Sequence, residues 1–313
     1  MDRPAYTHKP IYNVQSLCKA LGLQEPMLRA VAARADRLYI GPMPRPKKNN
    51  GVRYVFDTKP PLKQILRTIN RVIFCHVDFP PYLTGSLVGR DFVANVDIHK
   101  GAKRIVAEDI ATFFDHITSS HVYHIWHHFF NFSEEVSELL TRLTTKDGHV
   151  FQGTPTSSYL ANLAFWDKEP ALVMRLKEKG IRYSRYVDDL SMSSPGEMDE
   201  ETKRWIIAQV YAMVGGAGFK PKRNKHFSAT SRGPITIMGL NANSRRYPTL
   251  PSKERSAIRA QVLQLEQRVK RGEAGTEIEK DLRRAAGKVG RLKRLHPVEA
   301  TALKKRLDDL HLG

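Results

Sequence analysis

Apolar positions recur at helical spacing through Asn13–Leu38 and break at Gly22 and Pro26, which predicts two short helices. Tyr39–Asp57 then holds prolines, the run Lys47-Lys48-Asn49-Asn50-Gly51 and the β-prone Val52–Phe56, the pattern of a hairpin with a basic tip. A helix follows from Pro61 to about Val77, its proline in the first turn, where a missing N–H costs little. The apolar stretch Arg104–Ala107 predicts a strand that ends near Asp109. Ser119–Leu143 reads as one or two helices, Gly148 as a turn and Ser157–Lys179 as one long helix. Two β-prone runs, Ile181–Val187 and Leu190–Ser194, flank Asp188-Asp189 and make a hairpin; Glu197–Val214 is helical and Ile235–Leu240 a strand. Beyond about Pro251 helix formers dominate, Lys and Arg recur every few positions and Pro297 punctuates, which predicts a separate basic helical subdomain. No internal repeat marks a solenoid or propeller.

The charge adds a partner to this picture. Fifty-one Lys and Arg against 32 Asp and Glu leave a formal net charge of +19 on 313 residues. A polyanion is the usual physical reason to carry such self-repulsion, and nucleic acid is the commonest polyanion. No apolar run approaches the roughly 20 residues that span a bilayer, so no membrane role is expected. Met1–Pro10 lacks the charged-then-apolar pattern of a secretory signal, and Cys18 and Cys75 make no disulfide framework. The expectation is a cytoplasmic protein with free thiols.

Candidate chemistry centres on Tyr186-Val187-Asp188-Asp189. Adjacent acids between two β-prone runs place like charges at a strand turn, where they repel unless a cation neutralises them. Oxygen-only ligands favour a hard ion such as Mg²⁺ over zinc. Asp109, in Ala107-Glu108-Asp109-Ile110, is the candidate third carboxylate for a two-metal site. Taken alone, Asp-Asp is more often an ordinary solvated turn than a metal site.

The surrounding stretches resolve that choice through a resemblance. Val106–Phe114 resembles the first palm motif of reverse transcriptases, Gln152-Gly153-Thr154-Pro155-Thr156-Ser157-Ser158 the second, and Tyr186–Asp189 the third. Gly218-Phe219 with Lys225, and Ile237-Met238-Gly239-Leu240, are similar to the weaker fourth and fifth motifs. The resemblance implies an α+β right-hand polymerase: fingers, a palm of antiparallel sheet packed on helices, and a small helical thumb. It divides the chain into an N-terminal helical extension over 1–38, a core over 39–240 and a basic helical thumb over 251–313. Within the core, fingers fall mainly at 39–103 and 120–180, palm at 104–119 and 181–240. It implies two Mg²⁺ held by Asp109, Asp188 and Asp189 with the Ile110 carbonyl assisting, the three aspartates being catalytic. Phe114 matches the bulky side chain that excludes a 2′-hydroxyl, whereas Phe113 reads as a core aromatic. Gln152 and Gly153 would lie against nucleotide and template, Arg53 would grip the triphosphate, and Lys225 would meet the departing pyrophosphate. Arg53 and Lys225 read equally well as surface charges.

Thr84–Asp91 and Asn95-Val96-Asp97-Ile98-His99-Lys100-Gly101 resemble the segment before the first palm motif of bacterial retron reverse transcriptases. That resemblance implies a structured noncoding RNA as template and primer, dNTPs as substrates and a branched RNA-linked single-stranded DNA product. It also implies a setting in antiphage defence with a separate effector protein. Arg90, Asn95 and His99 become candidate RNA contacts, Asn95 and His99 reading also as structural hydrogen-bonders. Arg284, Lys288, Arg291 and Arg294, on predicted helices, become contacts to duplex phosphates. Ser158, Val187 and Ile237-Met238-Gly239 depart from the retron pattern without touching the metal ligands. His116, His121, His124, His127 and His128 cluster, but no Cys or acidic residue completes a zinc set. The alternatives are a diversity-generating, group II-derived or abortive-infection reverse transcriptase, an RNA polymerase (which Phe114 disfavours), or an inert RNA-binding scaffold.

Overall fold

The computed structural model describes residues 3–47, 51–244 and 246–310; Lys48, Asn49 and Asn50 of the expected hairpin tip lie outside the described residues. A short strand β1 (Ala5–Tyr6) precedes helix α1 (Val14–Leu21), which starts where the Asn13 side chain accepts from the Ser16 amide at 2.8 Å. It ends at Gly22, whose φ of 68° closes the helix in the left-handed region. Pro26 opens α2 (Glu25–Ala33) from its first turn rather than breaking it. The antiparallel pair β2 (Tyr39–Pro46) and β3 (Val52–Thr58) forms the expected hairpin. It leads into α3 (Leu62–Val72), which buries Leu62, Ile65, Leu66 and Ile69 at helical spacing.

After β4 (Val77–Asp78) and α4 (Phe92–Ile98) comes β5 (Arg104–Asp109), then α5 (Ser119–His124), one π-helical turn over Ile125–Phe129 and α6 (Glu134–Thr144). The expected long helix over Ser157–Lys179 is two helices, α7 (Ser157–Leu163) and α8 (Glu169–Glu178), separated by turns. Pro170 accounts for the break: it lacks an N–H and fits only a first turn. The hairpin β6 (Arg182–Tyr186) and β7 (Asp189–Ser194) forms as expected, and α9 (Glu200–Gly216) is capped by Asp199, which accepts from the Thr202 amide at 2.7 Å. β8 (Phe227–Thr230) joins the main sheet, whose order is β6-β7-β5-β8. The expected strand Ile235–Leu240 is a tight hairpin of β9 (Thr236–Ile237) and β10 (Leu240–Asn241), turned at Met238 and Gly239 with φ of 49° and 78°. Helices α10 (Ser252–Lys270), α11 (Thr276–Leu295) and α12 (Pro297–Asp309) complete the chain.

Two compact units emerge: Met1–Asn95 with Val106–Met192 and Met198–Ser228, and Val96–Ile105 with Ser193–Glu197 and Ala229–Gly313. The second takes in more than the basic helical segment from 251. The first has an aromatic core in which Trp126 stacks on Phe130 at 4.8 Å and lies 5.2 Å from Phe74. The neighbouring histidines serve backbone groups. His121 Nδ1 accepts from the Thr118 amide at 3.1 Å while Nε2 donates to the Ala217 carbonyl at 2.9 Å, and His127 donates to the Phe132 carbonyl at 2.9 Å. In the second unit α10, α11 and α12 bury one stripe each, among them Val262, Leu282, Val289 and Leu303. No described helix is long and apolar enough to cross a membrane.

Candidate active site

Asp109 ends β5 and Asp188 stands in the turn between β6 and β7, with Asp189 opening β7. Backbone bonds lock these pieces together: the Ile110 amide donates to the Asp188 carbonyl at 3.0 Å, and the Lys222 amide to the Asp109 carbonyl at 2.7 Å. Asp109 is buried, Asp188 half-buried, and Asp189 reaches the surface. Loss of water around the carboxyls and the mutual repulsion of the three acids raise two of them above the usual carboxylate range. Asp188 is raised by burial and then by Asp109. Asp189 is pushed up to about 7 by burial, then by the charges of Asp188 and Asp109, with a hydrogen bond to Asp109 adding to the rise.

Lys225 forms an ion pair with Asp109. Burial would lower its ammonium, but the hydrogen bond and charge of Asp109, with Asp189 and Asp188 behind it, raise it instead. Among the described residues, no group of three or more His, Cys, Asp or Glu stands arranged around one ion, Asp109 being engaged by Lys225. The donor set still fits a divalent cation: three oxygen-only carboxylates that repel one another, only partly neutralised by Lys225 and Lys222, are stabilised by a hard ion.

The turn carrying Asp188 is tightly cradled. Val187 has φ of 61°, costly for a β-branched residue. Below it Arg185 is wholly buried and bidentate to Glu169, Nε to Oε1 at 2.7 Å and Nη2 to Oε2 at 2.9 Å. Its Nη1 donates to the Val187 carbonyl at 3.1 Å and Nη2 to the Asn162 carbonyl at 2.8 Å, tying the turn to α7. Tyr183 donates to Glu169 at 2.6 Å. Gly85 presses on the other side: a Cβ there would lie 2.5 Å from the Val187 nitrogen. Sequence reasoning missed this cradle, whose one visible signal was charge at Arg185 inside a β-prone run.

A cavity of about 580 Å³ brings Arg53, Gln152 and Gly153 together, as the sequence led us to expect, and adds Arg45, Lys63 and Arg67. Gly153 belongs there because its neighbour is backbone: a Cβ would meet the Phe56 carbonyl at 2.5 Å, where the Phe56 amide donates to the Gln152 carbonyl at 2.8 Å. Arg45 and Arg53 are exposed cross-strand partners. Like charges directly opposite destabilise a hairpin unless an anion sits between them. Lys63 bonds Asp57 at 2.6 Å. Phe113 is buried and stacks on Phe165 at 5.7 Å, whereas Phe114 keeps a partly exposed face.

The remaining candidates divide. Arg90 donates to the carbonyls of Phe79, Pro80 and Leu83, so its guanidinium holds a loop rather than reaching out. Asn95 is buried and accepts from Thr84 at 2.7 Å; His99 is buried with its Nδ1 2.7 Å from the Ser193 hydroxyl. Full burial corrects the expectation that these two touch RNA and leaves them the structural reading. In the second unit Arg284, Lys288, Arg291 and Arg294 are exposed. Arg284 meets Asp281 at 3.3 Å, Lys288 meets Gln261 at 2.7 Å and Arg291 meets Glu254 at 2.9 Å.

No protein-family model matches the chain. Among curated proteins, the retron Se72 reverse transcriptase of Salmonella heidelberg is 32% identical over 316 residues, 99% of this chain and 82% of that protein. The retron Ec48 reverse transcriptase of Escherichia coli is 30% identical over 321 residues, 96% of this chain and 76% of that protein. The Escherichia coli retron Ec86 reverse transcriptase is 26% identical over 233 residues, 73% of this chain and 70% of that protein. Among solved structures, Candida albicans telomerase in complex with a fragment of telomeric RNA gives a TM-score of 0.47 at 10% identity. That match covers 90% of this chain and 59% of the telomerase chain.

Proposed function

Because this chain belongs to the retron reverse transcriptase family and is an RNA-directed DNA polymerase, we propose that Asp109, Asp188 and Asp189 are its catalytic carboxylates and hold two magnesium ions, with the Ile110 carbonyl assisting. The single observation that carries this reading is geometric: Asp109 ends β5, the next residue, Ile110, donates its amide to the Asp188 carbonyl at 3.0 Å, and Asp189 opens β7 beside it, which supports one shared site for the three carboxylates. When bound, the ions would offset charge on the attacking and leaving oxygens of nucleotidyl transfer. Positioning supplies much of the remaining acceleration.

The chain's own residues then have these parts. Arg45, Arg53, Lys63 and Arg67 bind the triphosphate, which relieves the repulsion between the two opposed arginines. Gln152 and Gly153 lie against the nucleotide. Phe114 excludes a 2′-hydroxyl by bulk. Lys225, held protonated beside Asp109, offers its positive charge to the departing pyrophosphate. Residues 39–240 serve as fingers and palm, 251–313 as thumb and 1–38 as an N-terminal extension. The exposed Arg284, Lys288, Arg291 and Arg294 track duplex phosphates. The family premise further supports a structured noncoding RNA as template and primer, a branched RNA-linked DNA product, and a defensive role with a separate effector protein.

Asp188→Asn tests the reading. It keeps shape and removes a charge, so primer extension should fall by at least about a thousandfold while affinity for RNA stays within about twofold. Synthesis at the wild-type rate would assign the chemistry elsewhere; wild-type protein that binds RNA but never extends a primer would leave an inert scaffold.

A further inference from the structure

Successive side chains of a strand point to opposite faces, so Asp109 looks into the site and Glu108, one residue earlier on β5, looks away from it. Glu108 is nonetheless buried, with only 1% of its side chain exposed. Its carboxylate takes two donors. His226 Nδ1 lies 2.6 Å from Oε1, and the Tyr211 hydroxyl, from α9, donates to Oε2 at 3.3 Å. Burying a carboxylate costs solvation that an apolar side chain would keep, so a directional bond is what Glu108 adds at this position.

His226 directly follows Lys225, the lysine paired with Asp109. Two consecutive residues therefore meet two consecutive residues of β5: Lys225 with Asp109 on one face, His226 with Glu108 on the other. The chain that carries them is held to β5 at its start by backbone. The Ala111 amide donates to the Lys220 carbonyl at 2.8 Å, and the Lys222 amide to the Asp109 carbonyl at 2.7 Å. Arg223–Lys225 then forms one exposed turn of 3-10 helix before β8 begins at Phe227. His226 is the side-chain anchor at the far end of that turn. The two pairs differ in durability. The pair of Lys225 and Asp109 must open when Asp109 takes up a cation, whereas that of His226 and Glu108, on the opposite face, can stay closed.

Resting on the reading that Lys225 meets the departing pyrophosphate, we propose that Glu108 and His226 are positioning residues that clamp the turn Arg223–Lys225 to β5. Released from Asp109, Lys225 then stays over the site and moves only by rotating its side chain. The clamp acts through Lys225 and touches no substrate itself.

Hydrogen exchange followed by mass spectrometry, on the full chain without metal or nucleotide, reports the turn directly. His226→Leu should lower the protection of the turn's amides at least about tenfold, the loss expected for a hydrogen bond to a buried charge, and Lys225→Met should leave it within about twofold. The reverse order, Lys225→Met loosening the turn and His226→Leu sparing it, makes the ion pair the anchor and overturns the proposal. Single-nucleotide incorporation shows through which residue the clamp acts. His226→Leu should lower kcat about tenfold with the KM for dNTP within about twofold, and should cost nothing further in a Lys225→Met background. His226→Asn, which keeps a donor near the position of Nδ1, should recover most of the loss. A wild-type rate in His226→Leu, or an equal loss in both backgrounds, overturns the clamp and leaves the role of Lys225 standing. A wild-type rate in Lys225→Met removes that role and the clamp together.

Discussion

Asp189 carries the pH response of the metal-free site. Its folded value of about 7 stands above its ordinary 3.8, so between those values the folded chain holds a proton that the unfolded chain has released. Stability from this group is complete below about pH 4 and is lost as pH rises through about 7. Asp189→Asn, which mimics the protonated carboxyl, should therefore raise the melting temperature of metal-free protein more at pH 8 than at pH 5. Because Asp189 reaches solvent, screening keeps the gain to about a few degrees. Thermal unfolding at the two pH values checks the sign; a gain confined to pH 5 would contradict it. At this scale the acids were legible because their order and spacing carry chemistry. Arg45, Lys63 and Arg67 were not, since a lone cation in a sequence reads as a solvated charge until folding brings several to one cavity. Asn95 and His99 misled for the converse reason: polar residues in a motif look available, and only packing shows them buried.

The turn between β6 and β7 depends on elements distant in sequence. A methyl group on Gly85 would lie 2.5 Å from the Val187 nitrogen and 2.9 Å from the Tyr186 carbonyl carbon, and backbone cannot rotate aside. Gly85→Ala should shift the turn and cut primer extension at least about tenfold, at a strain cost of about 1–3 kcal/mol. Gly216→Ala, in helix α9 with nothing within 4 Å, is the control and should lower neither extension nor melting temperature. Full activity in Gly85→Ala would mean that the turn is not held by this contact. Elements with clear punctuation were read correctly, such as α1 between Asn13 and Gly22. The long helix over 157–179 failed because apolar periodicity outweighed Pro170, and the strand over 235–240 failed because Met238 takes a positive φ that no propensity favours. The two-residue β9 and β10 lie below the length at which alternation can be seen.

At the scale of the whole molecule, a formal charge of +19 makes RNA affinity an electrostatic quantity. Each phosphate neutralised adds about 0.9 to the slope of log affinity against log salt for a duplex. Replacing the exposed Arg284, Lys288 and Arg291 together with Gln should reduce that slope by about 2 to 3 in a filter-binding titration, with little dependence on sequence. An unchanged slope would mean that this helical face is merely solvated, its charges satisfied by Glu254, Asp281 and Gln261. The basic helical segment and the carboxylate hairpin were both readable from composition and motif. The division into two units was not, because short pieces at 96–105 and 193–197 join the second unit through folding rather than sequence proximity.

The most direct test counts ions at the carboxylates. Mn²⁺ bound to the chain in the presence of primer–template and a non-hydrolysable dNTP can be measured by electron paramagnetic resonance. Wild-type protein should hold two ions more than Asp188→Asn or Asp109→Asn measured under the same conditions. Equal binding by all three proteins would contradict the claim that these acids gather the metal.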